Sequence, residues 1–113
     1  MMEKISEMLA QKQLDAYNKQ DLEDFLSVYS DDVIIMDFPG NKVMTKGIDE
    51  MRTRYRQLFK EHPNNHAELL ARMVHGNRVV DHELVTGRAN STPKKAVAIY
   101  EIDGEKIAKV WFL

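Results

Sequence analysis

The sequence predicts an α+β fold, with helices first and an antiparallel meander afterwards. Up to about residue 62, apolar residues recur at three- and four-residue spacing, which marks amphipathic helices. From His66 onward come strand-forming runs separated by Gly76-Asn77 and Asp103-Gly104, pairs that supply the positive φ angles of tight hairpins. The last two runs, Ala96 to Ile102 and Ile107 to Leu113, are apolar on both faces, as expected of a sheet covered on both sides.

Residues from about 2 to 18 carry an apolar stripe at Met2, Ile5, Leu9, Ala16 and Tyr17, with Gln13 inside it one turn before Tyr17. Asn18-Lys19-Gln20 breaks the pattern. Asp21 then serves as N-cap of a second helix, with Asp24 in its first turn and Leu22, Phe25, Leu26 and Tyr29 on its buried face. Ser30-Asp31-Asp32 ends that helix, and a strand follows up to Asp37. A turn at Pro39-Gly40-Asn41 leads into an extended piece, Lys42 to Lys46. Gly47 introduces a third helix with the stripe Ile48, Met51, Tyr55, Leu58 and Phe59, and Pro63 stops it near His62. Strands are expected at 66–75, 78–88, 94–102 and 106–113.

The 113 residues fit one domain, 1–113, and 43% hydrophobic with 30% charged residues is the composition of an ordinary globular protein. A net charge of −2 gives no global attraction for nucleic acid or anionic membranes. The chain has no cysteine, which excludes disulfides and cysteine-built zinc sites. No apolar run approaches the ~20 residues of a membrane span. The first residues hold no signal-peptide core, so a cytoplasmic location is the expectation. Arg52, Arg54, Arg56 and Lys60 share their helix with Asp49 and Glu50 and lack aromatic stacking partners; they read as a solvated face. No Gly-rich phosphate loop, nucleophile elbow or paired-histidine spacing appears, so neither metal nor organic cofactor is implied.

Asp37 is the leading candidate for chemistry. Alternation places it on one face with Val33 and Ile35. On an internal face, desolvation would raise its pKa and make it a usable base. The same run also reads as the polar end of a strand before a Pro-Gly turn. His82 lies mid-strand with Val80 and Leu84 on one face, and Asp81 and Glu83 on the other. Alternation does not say which face looks inward.

The stretch Ala16-Tyr17-Asn18-Lys19-Gln20-Asp21-Leu22-Glu23-Asp24-Phe25-Leu26-Ser27-Val28-Tyr29-Ser30-Asp31-Asp32-Val33 is similar to the opening of the SnoaL-like, nuclear transport factor 2-like superfamily, including its ketosteroid isomerase-like branch. Gly47 and the closing Tyr100-Glu101-Ile102-Asp103-Gly104-Glu105-Lys106-Ile107 also resemble it, and the resemblance covers essentially the whole chain. It implies a cone-shaped fold in which a curved, mostly antiparallel sheet and the N-terminal helices enclose a pocket. Asp37 falls where ketosteroid isomerases carry their general base, and Tyr55 where they carry a supporting tyrosine. Their oxyanion-hole tyrosine and protonated aspartic acid correspond to Gln13 and Ala98 here. Losing even one such donor costs about 2.7–4 kcal/mol, so efficient steroid isomerisation is not expected.

The resemblance and the residue pattern together predict a pocket lined by Gln13, Tyr17, Asp37, Met51, Tyr55, Ala98, Val110 and Phe112. A three-residue turn with Gly104 left-handed places Val110 and Phe112 on the face of Ala98 and sends Trp111 to the outer sheet face. An outward Trp111 points to a homodimer through the sheet. The expected ligand is a small, largely apolar molecule carrying a carbonyl or hydroxyl. Asp37, aided by Tyr55, Gln13 or His82, would transfer a proton in an isomerase-, cyclase-, dehydratase- or hydrolase-type reaction. The alternative is a non-catalytic binding or dimerisation module. A closed cavity with Asp37 close to Tyr55 or His82 speaks for the first reading, and an empty, open cavity with Asp37 bonded to backbone for the second.

Overall fold

A computed structural model describes residues 2–113. Helices α1 (Met2–Lys19) and α2 (Leu22–Leu26) precede strands β1 (Tyr29–Asp37) and β2 (Val43–Lys46). Helix α3 (Ile48–Glu61) then leads into β3 (His66–His75), β4 (Arg78–Thr86), β5 (Lys94–Asp103) and β6 (Lys106–Phe112). The strands form one six-stranded sheet in the order β2-β1-β6-β5-β4-β3. Only β1 and β6 pair in parallel. The expected α+β architecture is the observed one. No helix among the described residues is long and apolar enough to cross a membrane.

Two element readings change. Tyr29 opens β1 and is not the last residue of α2: it pairs with Ile107, and the Ile107 N–H donates to Val28 O at 2.8 Å. The sheet thus takes Tyr29 before the helical pattern can continue. The buried face of α1 is Ser6, Ala10, Gln13, Leu14 and Ala16, rotated from the stripe through Met2, Ile5 and Leu9. Small and polar residues suit a helix lying close to a hairpin, and the Ser6 hydroxyl donates to Gly76 O at 3.0 Å. The methionines are likewise less central than a Met-rich core would require. Met51 is fully buried, whereas Met8 and Met73 are each 62% exposed.

The polar residues between the first helices have structural work. Asp21 caps α2 by accepting the Asp24 N–H at 3.1 Å. Asn18 acts on β3 as a neighbouring strand would: its amide donates to Ala67 O at 2.9 Å and accepts the Ala67 N–H at 2.8 Å. These bonds tie α1 to the sheet edge. Gly47, at φ 87°, sits where other residues are strained; its N–H donates to Val33 O, and its carbonyl accepts from Met51 to start α3.

The final hairpin puts the predicted residues on the inner face, but by a different route from the predicted three-residue turn: Asp103 pairs with Lys106, so Gly104-Glu105 is a two-residue turn, and a bulge supplies the change of face. Ala98 pairs with Phe112 and Tyr100 with Val110, with a shift between Glu101 and Ile102 and Gly104 at φ 64°. Val110 and Phe112 therefore share the inner face, while Trp111 and Lys109 lie outside. Trp111 is half-buried, and its indole N–H donates to Asn41 Oδ1 at 2.9 Å.

Candidate functional site

The site begins with the aromatic residues that α1, α2, β1 and α3 bring together. Phe25 and Tyr55 have ring centroids 4.7 Å apart, Phe25 and Tyr29 5.1 Å, and Tyr17 and Phe59 5.7 Å. Such pairs contribute about 0.5–1.5 kcal/mol each beyond their burial and set a rigid wall. Opposite stands the inner face of β4 and β5. Ala96 faces Glu83 and Ala98 faces Asp81, so β5 presents small side chains where β4 presents carboxylates. The space left is a cavity of about 980 Å³. Gln13, Tyr17, Tyr29, Tyr55, Glu83 and Tyr100 line its polar interior, and Asp49, Glu50, Arg54 and Arg88 are among the exposed residues of its wall and mouth.

Glu83 is the carboxyl this cavity holds. It is 7% exposed, and no side chain or backbone group hydrogen-bonds its oxygens among the described residues. Burial pushes its pKa up to about 7; the Asp81 carboxylate adds to the rise and the Arg72 guanidinium opposes it. Asp81, two residues earlier on the same face, is fully buried but neutralised. Arg72 Nε and Nη2 donate to its two oxygens at 2.7 and 2.9 Å, and Arg72 Nη1 reaches Gln11 Oε1 at 2.9 Å.

The phenols remain neutral donors. Burial pushes Tyr55 up to about 12 and raises Tyr29 and Tyr100 well above the ordinary phenol value. The Tyr29 hydroxyl donates to Gln13 Oε1 at 3.3 Å, and the Gln13 amide donates to Ala10 O at 3.1 Å. The Tyr55 and Tyr100 hydroxyls have no protein partner among the described residues, although the two residues are only 6% and 3% exposed. The Tyr17 hydroxyl accepts from Asn65 at 2.5 Å and from Arg88 at 3.4 Å.

Of the residues expected to form the pocket, Gln13, Tyr17, Tyr55 and Phe112 line the cavity. Met51, Ala98 and Val110 do not; at 0–1% exposure they belong to the solid core behind it. Asp37 also stands outside the lining. Its Oδ1 accepts the Lys42 N–H at 2.5 Å, its own N–H donates to Lys42 O at 3.1 Å, and its carbonyl accepts the Asn41 N–H at 3.0 Å. A β1 register shift between Ile35 and Met36 precedes it, and the carboxylate closes the Pro39-Gly40-Asn41 turn. Bonding to backbone is the contact expected if Asp37 is not a catalyst.

His82 is half-buried on the opposite face of β4 to the cavity, with Val80 and Leu84, and the structure does not bring it to Asp37. Glu83, Tyr29, Tyr100, Arg54 and Arg88 are among the lining residues missing from the expected pocket. One signal for the β4 carboxylates was present in the chain. A two-residue turn at Gly76-Asn77 pairs His75 with Arg78 and, by counting back, Arg72 with Asp81, as observed.

A model of the SnoaL-like domain matches residues 10–110 of this chain. Comparison with curated proteins finds no match. Among solved structures, an uncharacterised cystatin-fold protein of Novosphingobium aromaticivorans superposes with a TM-score of 0.88 at 28% identity, covering 96% of this chain and 97% of its own. A SnoaL-like protein of unknown function from Burkholderia thailandensis gives 0.80 at 17% identity, with 96% and 92% covered. A candidate polyketide cyclase of Sinorhizobium meliloti gives 0.80 at 18% identity, with 93% of each chain covered.

Proposed function

This chain belongs to the SnoaL-like family, and from that membership we propose that it is a cofactor-independent proton-transfer enzyme acting on a small, largely apolar carbonyl or hydroxyl compound. The observation that carries this reading is Glu83, an unpartnered carboxyl inside a tyrosine-lined cavity. With a pKa near 7 it is partly ionised at neutral pH, so it can take up a proton and return it. In the simplest such step, the Glu83 carboxylate removes a proton next to a substrate carbonyl. The C–H electron pair moves into the enolate, and a neutral phenol, Tyr55 or Tyr100, donates a hydrogen bond to the enolate oxygen. Glu83 then returns the proton to the same or another carbon. The base is thus assigned to Glu83 and no longer to Asp37. The apolar surroundings of Glu83, Tyr55 and Tyr100, each 7% exposed or less, strengthen these interactions relative to water.

Deuterium exchange tests this without knowledge of the substrate. A panel of ketones is incubated with the protein in heavy water and followed by NMR. The expected result is deuterium uptake beside the carbonyl, slowed about 10²–10⁴-fold in Glu83→Gln, the usual range of a general acid–base group. Equal exchange by both proteins would remove Glu83 from the reaction. The bonding of Asp37 to backbone favours the other reading, a binding module without turnover. Ketones that bind but never exchange would select it.

A homodimer through the sheet is part of the same proposal. Val80, Leu84, Val97, Ile99 and Trp111 are half-buried on the outer sheet face, and Met73 is exposed. Another copy of that face would cover these apolar groups.

A further inference from the structure

Three of the chain's six arginines are paired with carboxylates: Arg52 with Glu23, Arg72 with Asp81 and Arg78 with Glu101. Two of the others, Arg54 and Arg88, line the cavity and are held by neutral acceptors instead. Arg54 Nη1 donates to the Thr45 hydroxyl at 3.0 Å, and its guanidinium lies 5.9 Å from the Tyr55 ring centroid. Arg88 Nε donates to Asn65 Oδ1 at 3.1 Å and Nη2 to the Tyr17 hydroxyl. Neither has a carboxylate within ion-pair distance among the described residues. Arg54 thus lies by the Tyr55 ring and Arg88 by the Tyr17 hydroxyl, and those two rings are neighbours, their centroids 6.3 Å apart.

The backbone carrying Arg88 is fixed on both sides. Gly87, at φ 78°, is pressed so tightly on the Asn64 carbonyl that a Cβ would lie 1.8 Å from its oxygen. On the other side, the Ala89 N–H donates to His62 Nδ1 at 3.1 Å. A solvated surface arginine needs no such seat. Asn65, which orients the guanidinium, is itself only 2% exposed.

We infer that Arg54 and Arg88 form an anion subsite and that the ligand is an amphipathic carboxylate, its charged head at the guanidiniums and its apolar body along the aromatic wall toward Glu83. This deepens the proton-transfer reading and rests on it for the orientation of the ligand. A guanidinium held by neutral acceptors keeps its charge available, and a carboxylate is the planar partner its fork of donors fits. The acidic residues of the wall compete little for it. Glu50 accepts the Lys46 N–H and Glu61 the Gln57 amide, while Asp49 stands in the first turn of α3.

Calorimetric binding of octanoate, octanol and octylammonium to the intact protein tests the subsite, because all three are eight-carbon amphiphiles with different head groups. Octanoate is expected to bind about tenfold or more tightly than octanol, a difference lost in Arg88→Met and reduced in Arg54→Met. Circular dichroism establishes that both variants remain folded. Octanol binding as well as octanoate, octylammonium binding best, no binding by any of the three, or a preference that survives both substitutions would each overturn the inference. Glu83→Gln separates the two proposals. The carboxylate preference persists in that variant if the subsite is real, whatever becomes of deuterium exchange.

Discussion

Asp81 and Glu83 leave β4 on the same inner face, one alternation apart, and meet different surroundings. Asp81 is fully buried, and the guanidinium of Arg72 takes both of its oxygens in a bidentate pair. Glu83 has almost the same burial and no such partner, and it borders open space instead of packed atoms. The first arrangement is how a fold tolerates a buried carboxylate: its countercharge is built in. The second leaves the charge uncompensated, so the proton's affinity rises toward neutrality. What separates the paired carboxylate from the unpaired one here is the neighbour across the strand, because the two share residue class, face and strand.

The largest way to break that comparison is to remove the countercharge. Arg72→Met leaves Asp81 buried and alone, and should destabilise the protein by about 3–5 kcal/mol in denaturant melts. The double variant Arg72→Met/Asp81→Leu should recover most of that loss, since both charges go together. If the single variant is as stable as wild type, the ion pair contributes nothing and Asp81 is no different from Glu83.

A smaller effect is expected at Asp37. Asp37→Asn keeps an acceptor for the Lys42 N–H but loses its charge, so thermal melts should show a loss of about 1 kcal/mol or less. Deuterium exchange should be unchanged. A loss of exchange comparable to that of Glu83→Gln would return Asp37 to the reaction.

The contrast between Asp37 and Glu83 also marks what could be read from the chain. The order of elements follows from apolar periodicity and turn residues, and keeping Lys109 out of an apolar interior is enough to choose the face of Val110 and Phe112, although not the turn that puts them there. These are local signals, carried by residues near each other in sequence. The face of β4 is different. Its even-numbered set, Val80 and Leu84 around His82, is the more apolar, yet it lies outside. The set bearing two carboxylates lies inside because Arg72 comes across from β3 and because Ala96 and Ala98 leave room on β5. Alternation sorts residues into two faces, but only long-range pairing says which one is covered. Asp37 shows the converse. Alternation set it with Val33 and Ile35 without saying that this face is internal, and the turn after it uses the carboxylate to close its backbone, as the polar end of a strand would. The mouth arginines were hidden for the same reason as β4. A helix wheel shows Arg54 as a solvated cation, and only the fold turns it toward Thr45.

The raised pKa of Glu83 has a definite sign in stability. An acid whose folded pKa lies above its unfolded value binds more protons when folded, so stability falls as pH rises between the two values. The cost is absent below an ordinary carboxyl pKa of 4.5 and complete above about 7. Replacing Glu83 by Gln should remove this part of the pH dependence.

The most direct measurement is the titration of that carboxyl itself, followed by NMR on protein labelled with ¹³C at glutamate side chains and assigned by comparison with Glu83→Gln. A midpoint near 7 for the resonance missing from the variant is the predicted result. A midpoint at the ordinary value of 4.5 would mean that water or a countercharge reaches Glu83 freely, and would contradict a proton-transfer role for it.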